Sequence, residues 1–491
     1  MRRAYAVLGL CATITFVASG QNTFTTVASF NGSDGQNPTL PPIQGTDGQG
    51  YGTTFIGGNG YGVVFKFTSS GHLSTLYSFC SVGLPPNCLD GEFPFGLVQS
   101  TDQYFYGTTN GGGAHGNFGT VFKISPTGTL TTLYNFCTQS GCMDGQNPYG
   151  PLIQASTGLL YGTTSSGGAN GGGTVFQITP GGTLTTLYHF CSVSACADGQ
   201  FPQAPLIQAG NGNLYGTTTS GGETGAGTIF EITLNGTLTT LYTFSGPDGR
   251  YPWGLVQGND GNFYGTTQFG GAVQSSAPNG SGTIFKLTPK GVLTTLHSFC
   301  SEPSCSDGQF PFTGPVLGSD GSIYGTTTLD GSRGEGTAYQ VTTDTGTLTI
   351  EHNFCDVRHC SGQSPVQEPS YGLGQDTTGV FYGTTFYGGT GKKCTDPSPF
   401  SGCGTIYSLD VGLGAFVKPQ PAVGKVGATI DILGTSLTGA TSVTFNGTTA
   451  SFTVSSDTLI VATVPAKAES GTIAVVTPGG TLMSNVFSVL R

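Results

Sequence analysis

The stretch that decides the fold covers residues 144–191. It reads DGQNPYGPLIQ (144–154), GLLYGTT (158–164), GGTVFQIT (172–179) and GTLTTLYHFC (182–191). Each piece alternates, or is rich in β-branched and aromatic residues, and Gly, Asn or Asp turns separate them. No piece carries helical periodicity. The pattern predicts four short antiparallel strands, and the rest of the chain copies it. YGTT recurs seven times, at Tyr51, Tyr106, Tyr161, Tyr215, Tyr264, Tyr324 and Tyr382, spaced 49 to 60 residues apart. A period of that length marks one supersecondary unit in tandem.

Four strands copied seven times predict an all-β, seven-bladed β-propeller. TFTTVASF (residues 23–30) reads as a fourth strand with no preceding three, and the seventh repeat has three strands and no clear fourth. Pairing the two closes the ring and removes two open sheet edges. LGAFV (residues 413–417) is the competing source of that strand. The competing architectures are a β-solenoid and independent sheets on a string.

Composition narrows the function. Eighty-four glycines without a G-X-Y period exclude collagen, and 36% hydrophobic with 11% aromatic residues argues against disorder. A formal charge of −11, with only 15 Lys and Arg, removes the electrostatic basis for nucleic-acid or anionic-membrane binding. Residues 1–20 read as a cleaved export signal: Arg2 and Arg3, an apolar run, then Ala18-Ser19-Gly20, giving a mature start near Gln21. No later segment is long and apolar enough to span a membrane. An extracellular or cell-envelope location is therefore expected.

Beyond Cys11, twelve cysteines fall into local pairs: Cys80/Cys88, Cys137/Cys142, Cys191/Cys196, Cys300/Cys305, Cys355/Cys360 and Cys394/Cys403. The repeat at Phe244 and the copy at Phe30 lack both members, and cysteines lost together imply partners. Each disulfide closes a short loop and contributes roughly 2 kcal/mol in the chain-entropy model. Zinc is the rival reading, but lone C-x₄-C pairs without nearby His make poor sites.

The repeat resembles the choice-of-anchor tandem-repeat GloVer-containing proteins of bacterial surfaces. The LYGTT, GTVF and TLTTLYxFC elements and the DGxxP turn carry the resemblance over residues 23 to about 410. It implies a secreted repeat protein. The division expected is a propeller over residues 21–412 and a β-sandwich over 413–491, with strands around Ile430, Val443, Phe452, Ile460, Ile473 and Phe487. The second segment resembles an IPT/TIG immunoglobulin-like domain through Gly427, ILG ending at Gly434, VTFNG (residues 443–447), Pro465 and Phe487. That resemblance implies a spacer or adhesion module.

Parity places the Gly-rich loops after YGTT on one face with the DGxxP loops, and a ligand is expected there. Arg250, Tyr251 and Trp253 are the candidate ligand-binding residues, set against plain inter-blade packing. The seven tyrosines read as packing residues whose hydroxyls are bonded, with a ring of sugar platforms as the alternative. Their glycines are read as permitting close backbone approach between sheets. Asp34, Asp90, Asp144, Asp198, Asp248 and Asp307 read as turn-formers, with calcium as the alternative. His72, His115, His189, His297, His352 and His359 are scattered, and Glu92, Glu223, Glu335 and Glu368 do not repeat. No catalytic set, cofactor or metal is expected. The function read from this is non-enzymatic binding of an extracellular glycan or surface protein. The alternatives are a polysaccharide-active hydrolase or lyase, and a purely structural surface module.

Overall fold

The computed structural model describes residues 22–84, 87–272, 279–355, 367–390, 394 and 402–491. The proposed signal, Cys11, His359 and Cys360 lie outside the described residues. The fold is all-β and propeller-like, with three short 3-10 turns and no α-helix among the described residues. Each YGTT copy sits in its own antiparallel sheet, numbered 1–7 in chain order. Sheet 2 is typical: Glu92–Gln99, Phe105–Gly111, Thr120–Ile124 and Leu130–Asn135, each strand bonded to the next. The first strand carries a proline in sheets 1, 2, 5 and 7, at Pro38, Pro94, Pro252 and Pro369. It is a sheet edge, where a missing N–H is tolerated and further pairing is blocked.

Thr23–Ser29 pairs antiparallel with Thr405–Asp410, from Thr23↔Asp410 to Ser29↔Thr405, and completes sheet 7. The segment 413–417 does not fill that place. Instead Phe416 N donates to Thr377 O and Val417 N to Met483 O, leading the chain away from the sheet. Neighbouring sheets share apolar cores. One joins Tyr51, Val64, Phe105 and Phe122 from sheets 1 and 2. Another joins Phe65 and Phe67 of sheet 1 to Phe30 and Ile406 of sheet 7.

The repeated motifs supply polar clips as well. Six glutamines end the first strands, and each accepts a hydrogen bond from the preceding sheet's turn. Gln99 Oε1 takes Thr46 N at 2.8 Å, Gln154 takes Thr101 N at 3.0 Å, and Gln208 takes Ser156 N at 2.8 Å. Gln257 takes Gly210 N, Gln375 takes Ser319 N, and Gln44 takes Thr377 N, which links sheet 1 to sheet 7. The first Thr of YGTT bonds to the following sheet at Thr53, Thr108, Thr217 and Thr266, as where Thr108 Oγ1 donates to Gly150 O at 3.1 Å. The second Thr pairs within its sheet, as Thr164 does with Thr174 at 2.8 Å.

The YGTT glycines have a different role from the one expected. They have no left-handed φ. What presses on them is an aromatic ring of their own sheet: a Cβ on Gly52 would lie 2.5 Å from Phe65 Cζ, and one on Gly383 2.3 Å from the Tyr407 hydroxyl. These are directly opposed cross-strand pairs, Gly52↔Phe65 and Gly383↔Tyr407, so the ring lies across the glycine.

Two further sheets follow, of four and five strands, with one core built from Ile430, Ile432, Val443, Phe445, Ile460, Ile473 and Phe487 among others. This C-terminal unit rests on the turns between first and second strands. Thr458 Oγ1 donates to Thr46 O at 2.6 Å, and Gln103 Nε2 to Asp431 Oδ2 at 3.0 Å. Sheet 6 has Leu317 where other sheets have the clipping glutamine, and there the unit substitutes. Asn485 accepts from Asn259 Nδ2 at 3.0 Å and donates to Gly318 O at 3.2 Å.

Candidate functional site

The opposite face gathers the loops between sheets and the loops between second and third strands. Gly113 N donates to Cys88 O, Gly168 N to Cys142 O and Gly222 N to Cys196 O, tying the two loop sets together. Among the described residues, five disulfides staple the face: Cys80–Cys88, Cys137–Cys142, Cys191–Cys196, Cys300–Cys305 and Cys394–Cys403.

The DGxxP aspartates are hubs of these loops, a role that turn chemistry alone does not convey. Asp144 is fully buried and accepts from Tyr134 Oη at 2.8 Å, Thr138 N at 3.0 Å and Thr138 Oγ1 at 2.9 Å. Asp90 and Asp198 bind Tyr77 and Tyr188 in the same way, and Asp248 binds Tyr242. In sheet 6's loop the tyrosine is replaced by His297, whose Nε2 lies 2.9 Å from Asp307 Oδ2. Burial pushes Asp307 upward, but the His297 and Ser301 hydrogen bonds outweigh it and hold the carboxyl below its ordinary value. Among the described residues, no three His, Cys, Asp or Glu side chains gather as a metal site.

The residue before the proline takes a left-handed backbone in six copies: Asn37, Phe93, Asn147, Phe201, Tyr251 and Phe310, with φ between 54° and 59°. Proline disfavours αR for the residue before it. The turned N–H then clips the previous sheet, as where Phe93 N donates to Tyr61 O and Tyr251 N to Ala226 O. Four of these six residues are aromatic; Phe201 is 37% exposed, while Phe93 packs on Phe55, and Tyr251 and Phe310 pack on Phe269.

Directly after the proline, side chains enter the central channel. Phe95, Tyr149 and Trp253 each stand between Pro and Gly, in sheets 2, 3 and 5. Their rings form an arc with Phe312: Phe95–Tyr149 at 4.2 Å, Tyr149–Trp253 at 6.4 Å and Trp253–Phe312 at 4.8 Å. The glycines that follow let adjacent first strands approach closely; a Cβ on Gly254, at φ 46°, would lie 2.9 Å from Gly314 Cα. Beside the arc lies a cavity of about 210 Å³, lined also by Leu40, Gln203 and Thr313. Farther along the first strands, a second space of about 290 Å³ is walled by Gln208, Gln257 and Val316 and by Phe416 and Lys418 of the C-terminal unit.

The predicted trio is divided. Trp253 lines the channel, 8% exposed. Arg250 and Tyr251 stay on the loop side, the guanidinium 5.9 Å from the tyrosine ring, which meets Phe269 edge-on at 5.6 Å. Phe95, Tyr149 and Phe312 were not singled out from sequence, although the Pro-aromatic-Gly triplets at 94–96, 148–150 and 252–254 are visible there. Six of the YGTT tyrosines are buried and Tyr382 is half-buried. Tyr51, Tyr106, Tyr264 and Tyr324 donate to the aspartate four residues earlier, and Tyr215 to Glu231. Tyr51 also packs at a tilt against Phe105 of the next sheet, with centroids 4.2 Å apart. Glu92 is buried, Glu223 and Glu335 lie in the loops of sheets 4 and 6, and none lines the cavity.

With YGTT, the DGxxP loops and the stapled turns placed, the family model of the Gloeobacter/Verrucomicrobia repeat matches residues 11–144, 138–313 and 271–460. The chain belongs to this family. The third match of the Gloeobacter/Verrucomicrobia repeat runs into the C-terminal unit. No curated protein matches the chain. Among solved structures, it is similar to the extracellular domain of the hybrid two component system BT4673 from B. thetaiotaomicron. That similarity has 12% identity and a TM-score of 0.50, over 96% of this chain and 60% of that one. It is also similar to PorZ, described as a bacterial surface component of the type-IX secretion system of Porphyromonas gingivalis. There the identity is 14% and the TM-score 0.46, over 94% of this chain and 60% of PorZ. The chain thus spans about three-fifths of these two longer chains, and the first likeness is one of fold. Among the described residues, no helix is long and apolar enough to cross a membrane.

Proposed function

We propose that this chain is a secreted or cell-envelope binding module that captures an extracellular glycan or surface protein on its loop-rich face. The scaffold in this reading is a closed seven-bladed propeller (residues 21–412), with an IPT/TIG-like immunoglobulin sandwich (413–491) fixed to its other face and an export signal removed before residue 21.

The observation that carries the reading is the asymmetry of the two faces. One is covered by the C-terminal unit. The other holds the five disulfides found among the described residues and aromatic residues at left-handed positions, Phe93, Phe201, Tyr251 and Phe310. Bulky residues in that backbone region store strain, which accumulates at ligand-handling surfaces. Disulfide stapling lowers the ordering cost on binding, because the loops are already held. The similar extracellular domain from B. thetaiotaomicron agrees with that location. Glycoside hydrolysis needs two opposed carboxylates, and the aromatic channel has none in its wall.

The test is a screen of the purified chain on glycan and envelope-protein arrays, run beside reducing-end release assays on the same glycans. Saturable binding that Phe201→Ser and Tyr251→Ser weaken supports the proposal. Turnover of any glycan overturns it in favour of an enzyme. Absence of any ligand, with the protein retained on the cell envelope, overturns it in favour of a structural module.

A further inference from the structure

We infer that the space between the C-terminal unit and the first strands of sheets 4 to 7 binds a monocarboxylate with a short apolar body, held by the Lys418 ammonium. The site lies on the face opposite the loops and does not rest on the loop-side reading, so the array result does not bear on it.

Strand register directs Lys418 into this space. Lys418 pairs with Leu433, Pro419 with Ile432 and Gln420 with Asp431. Val417 and Ile432 belong to the core of the C-terminal unit. Side chains alternate along a strand, and directly paired residues share a face. Lys418 therefore leaves on the other face, the one that carries Asp431. That face meets the propeller-like part, where Gln103 Nε2 donates to Asp431 Oδ2 at 3.0 Å. Lys418 is only half-buried, and it lines the cavity of about 290 Å³ between the two parts.

The amine has no direct counter-ion there. Among the described residues it enters no ion pair and no hydrogen bond. No Asp or Glu lines the cavity. Burial lowers the ammonium below its ordinary value, and the charge of Asp376 offsets only part of this. Asp376 lines a separate small space beside Tyr382. Its Oδ1 already accepts from Thr378 N at 3.0 Å and from Val380 N at 3.2 Å. A buried charge without a hydrogen-bonded partner is costly. A bound anion supplies that partner through a charge-assisted hydrogen bond.

The rest of the wall sets the ligand class. Ile207, Val256, Val316, Leu317, Phe416 and Val423 make it apolar. Its amides are engaged elsewhere: Gln208 Nε2 donates to Gly212 O at 2.9 Å and Gln257 Nε2 to Gly261 O at 3.0 Å. Gln375 Nε2 donates to Gly379 O at 3.0 Å and Asn485 Nδ2 to Gly318 O at 3.2 Å. One cation balances one negative charge, so a phosphate or dicarboxylate would keep a desolvated charge. A sugar acid would leave its hydroxyls unmatched against apolar walls. The volume lies just below the roughly 300–1,000 Å³ of clefts for drug-sized molecules, which suits a body as small as that of hexanoate.

The test is a ligand-observed NMR titration of the full chain with hexanoate, beside hexanamide as a neutral molecule of matching shape. Saturable hexanoate binding is expected, with hexanamide weaker by about tenfold. Lys418→Met keeps the stem and removes the charge. It is expected to bind hexanoate about tenfold more weakly, with hexanamide binding unchanged. Asp376→Asn removes a competing negative charge and is expected to bind hexanoate at least as tightly. Urea midpoints check the folding of both variants, and the wild-type titrations stand independently of them. Absence of saturable hexanoate binding overturns the site. Equal losses for hexanoate and hexanamide in Lys418→Met overturn the ammonium as its anchor. Weaker hexanoate binding in Asp376→Asn overturns the reading of Lys418 as free to take a ligand's charge. Tighter binding of inorganic phosphate than of hexanoate overturns the ligand class.

Discussion

Replacing Gly52 by Ala tests the strongest packing inference, that the YGTT glycine exists to hold an aromatic ring of its own sheet. A Cβ built there lies 2.5 Å from Phe65 Cζ and 3.0 and 3.1 Å from its two Cε atoms. Ordinary carbon contacts are about 3.5–4.0 Å, so the ring must retreat by roughly 1 Å. It has nowhere to go: Phe65 is fully buried and meets Phe30 edge-on at 5.1 Å. Overpacking of this kind costs about 1–3 kcal/mol. Because Gly52 has no left-handed φ, alanine recovers about 0.4–1 kcal/mol through the unfolded chain, leaving a net loss near 1–2 kcal/mol. Phe65→Leu removes the offending atoms and alone should cost on the order of 1–2 kcal/mol. The double variant should then be more stable than the sum of the singles by about 1 kcal/mol. Urea midpoints of all four proteins, followed by far-ultraviolet dichroism with matched slopes, supply the cycle. If the two losses add to within about 0.5 kcal/mol, the ring-over-glycine explanation is refuted.

Asp144→Ala should leave the Thr138 amide and the Tyr134 hydroxyl without their acceptor, loosening one stapled loop by about 1–3 kcal/mol. Faster hydrogen exchange at Thr138 and faster reduction of Cys137–Cys142 would register it. Burial raises the Asp260 carboxyl, but the Lys286, Asn262 and Tyr264 hydrogen bonds win and bring it to about 2. Since the folded value is the lower one, its stabilisation is present above the ordinary value near 3.9 and disappears as pH falls through about 2. A carboxyl-carbon NMR titration of Asp260, repeated in Lys286→Met with an upward shift expected, checks this. Asn485→Ala removes contacts to Asn259 and Gly318, so limited proteolysis should release the C-terminal unit sooner while the propeller-like part stays intact.

Much of the architecture was legible because it is written in short-range chemistry. Strand pieces, glycine turns and a 49–60-residue period are local, and so are cysteine pairs five to nine residues apart. The strand order could be reasoned from TFTTVASF alone, because an unpaired edge demands a partner, and Thr23–Ser29 does pair with Thr405–Asp410. The candidate site was only partly legible. Trp253 was singled out with Arg250 and Tyr251, yet a left-handed turn at Tyr251 and the proline after it send the tryptophan into the channel and keep its neighbours outside. The aspartates looked like turn residues because the hydroxyls that donate to them, on Tyr134 and Tyr188, lie ten residues upstream on another strand.

By itself, then, the amino-acid order determined the repeating unit, its strands, its staples and the offset closure of its last sheet, since each depends on neighbours along the chain or on a visible missing piece. Only the tertiary structure decided that Phe95, Tyr149, Trp253 and Phe312 form one arc, that an indole N–H is left without a partner, and that Asn485 stands in for the glutamine absent at Leu317. Those are relations between sheets more than 40 residues apart, and they arise because segments far apart in sequence line one shared cavity.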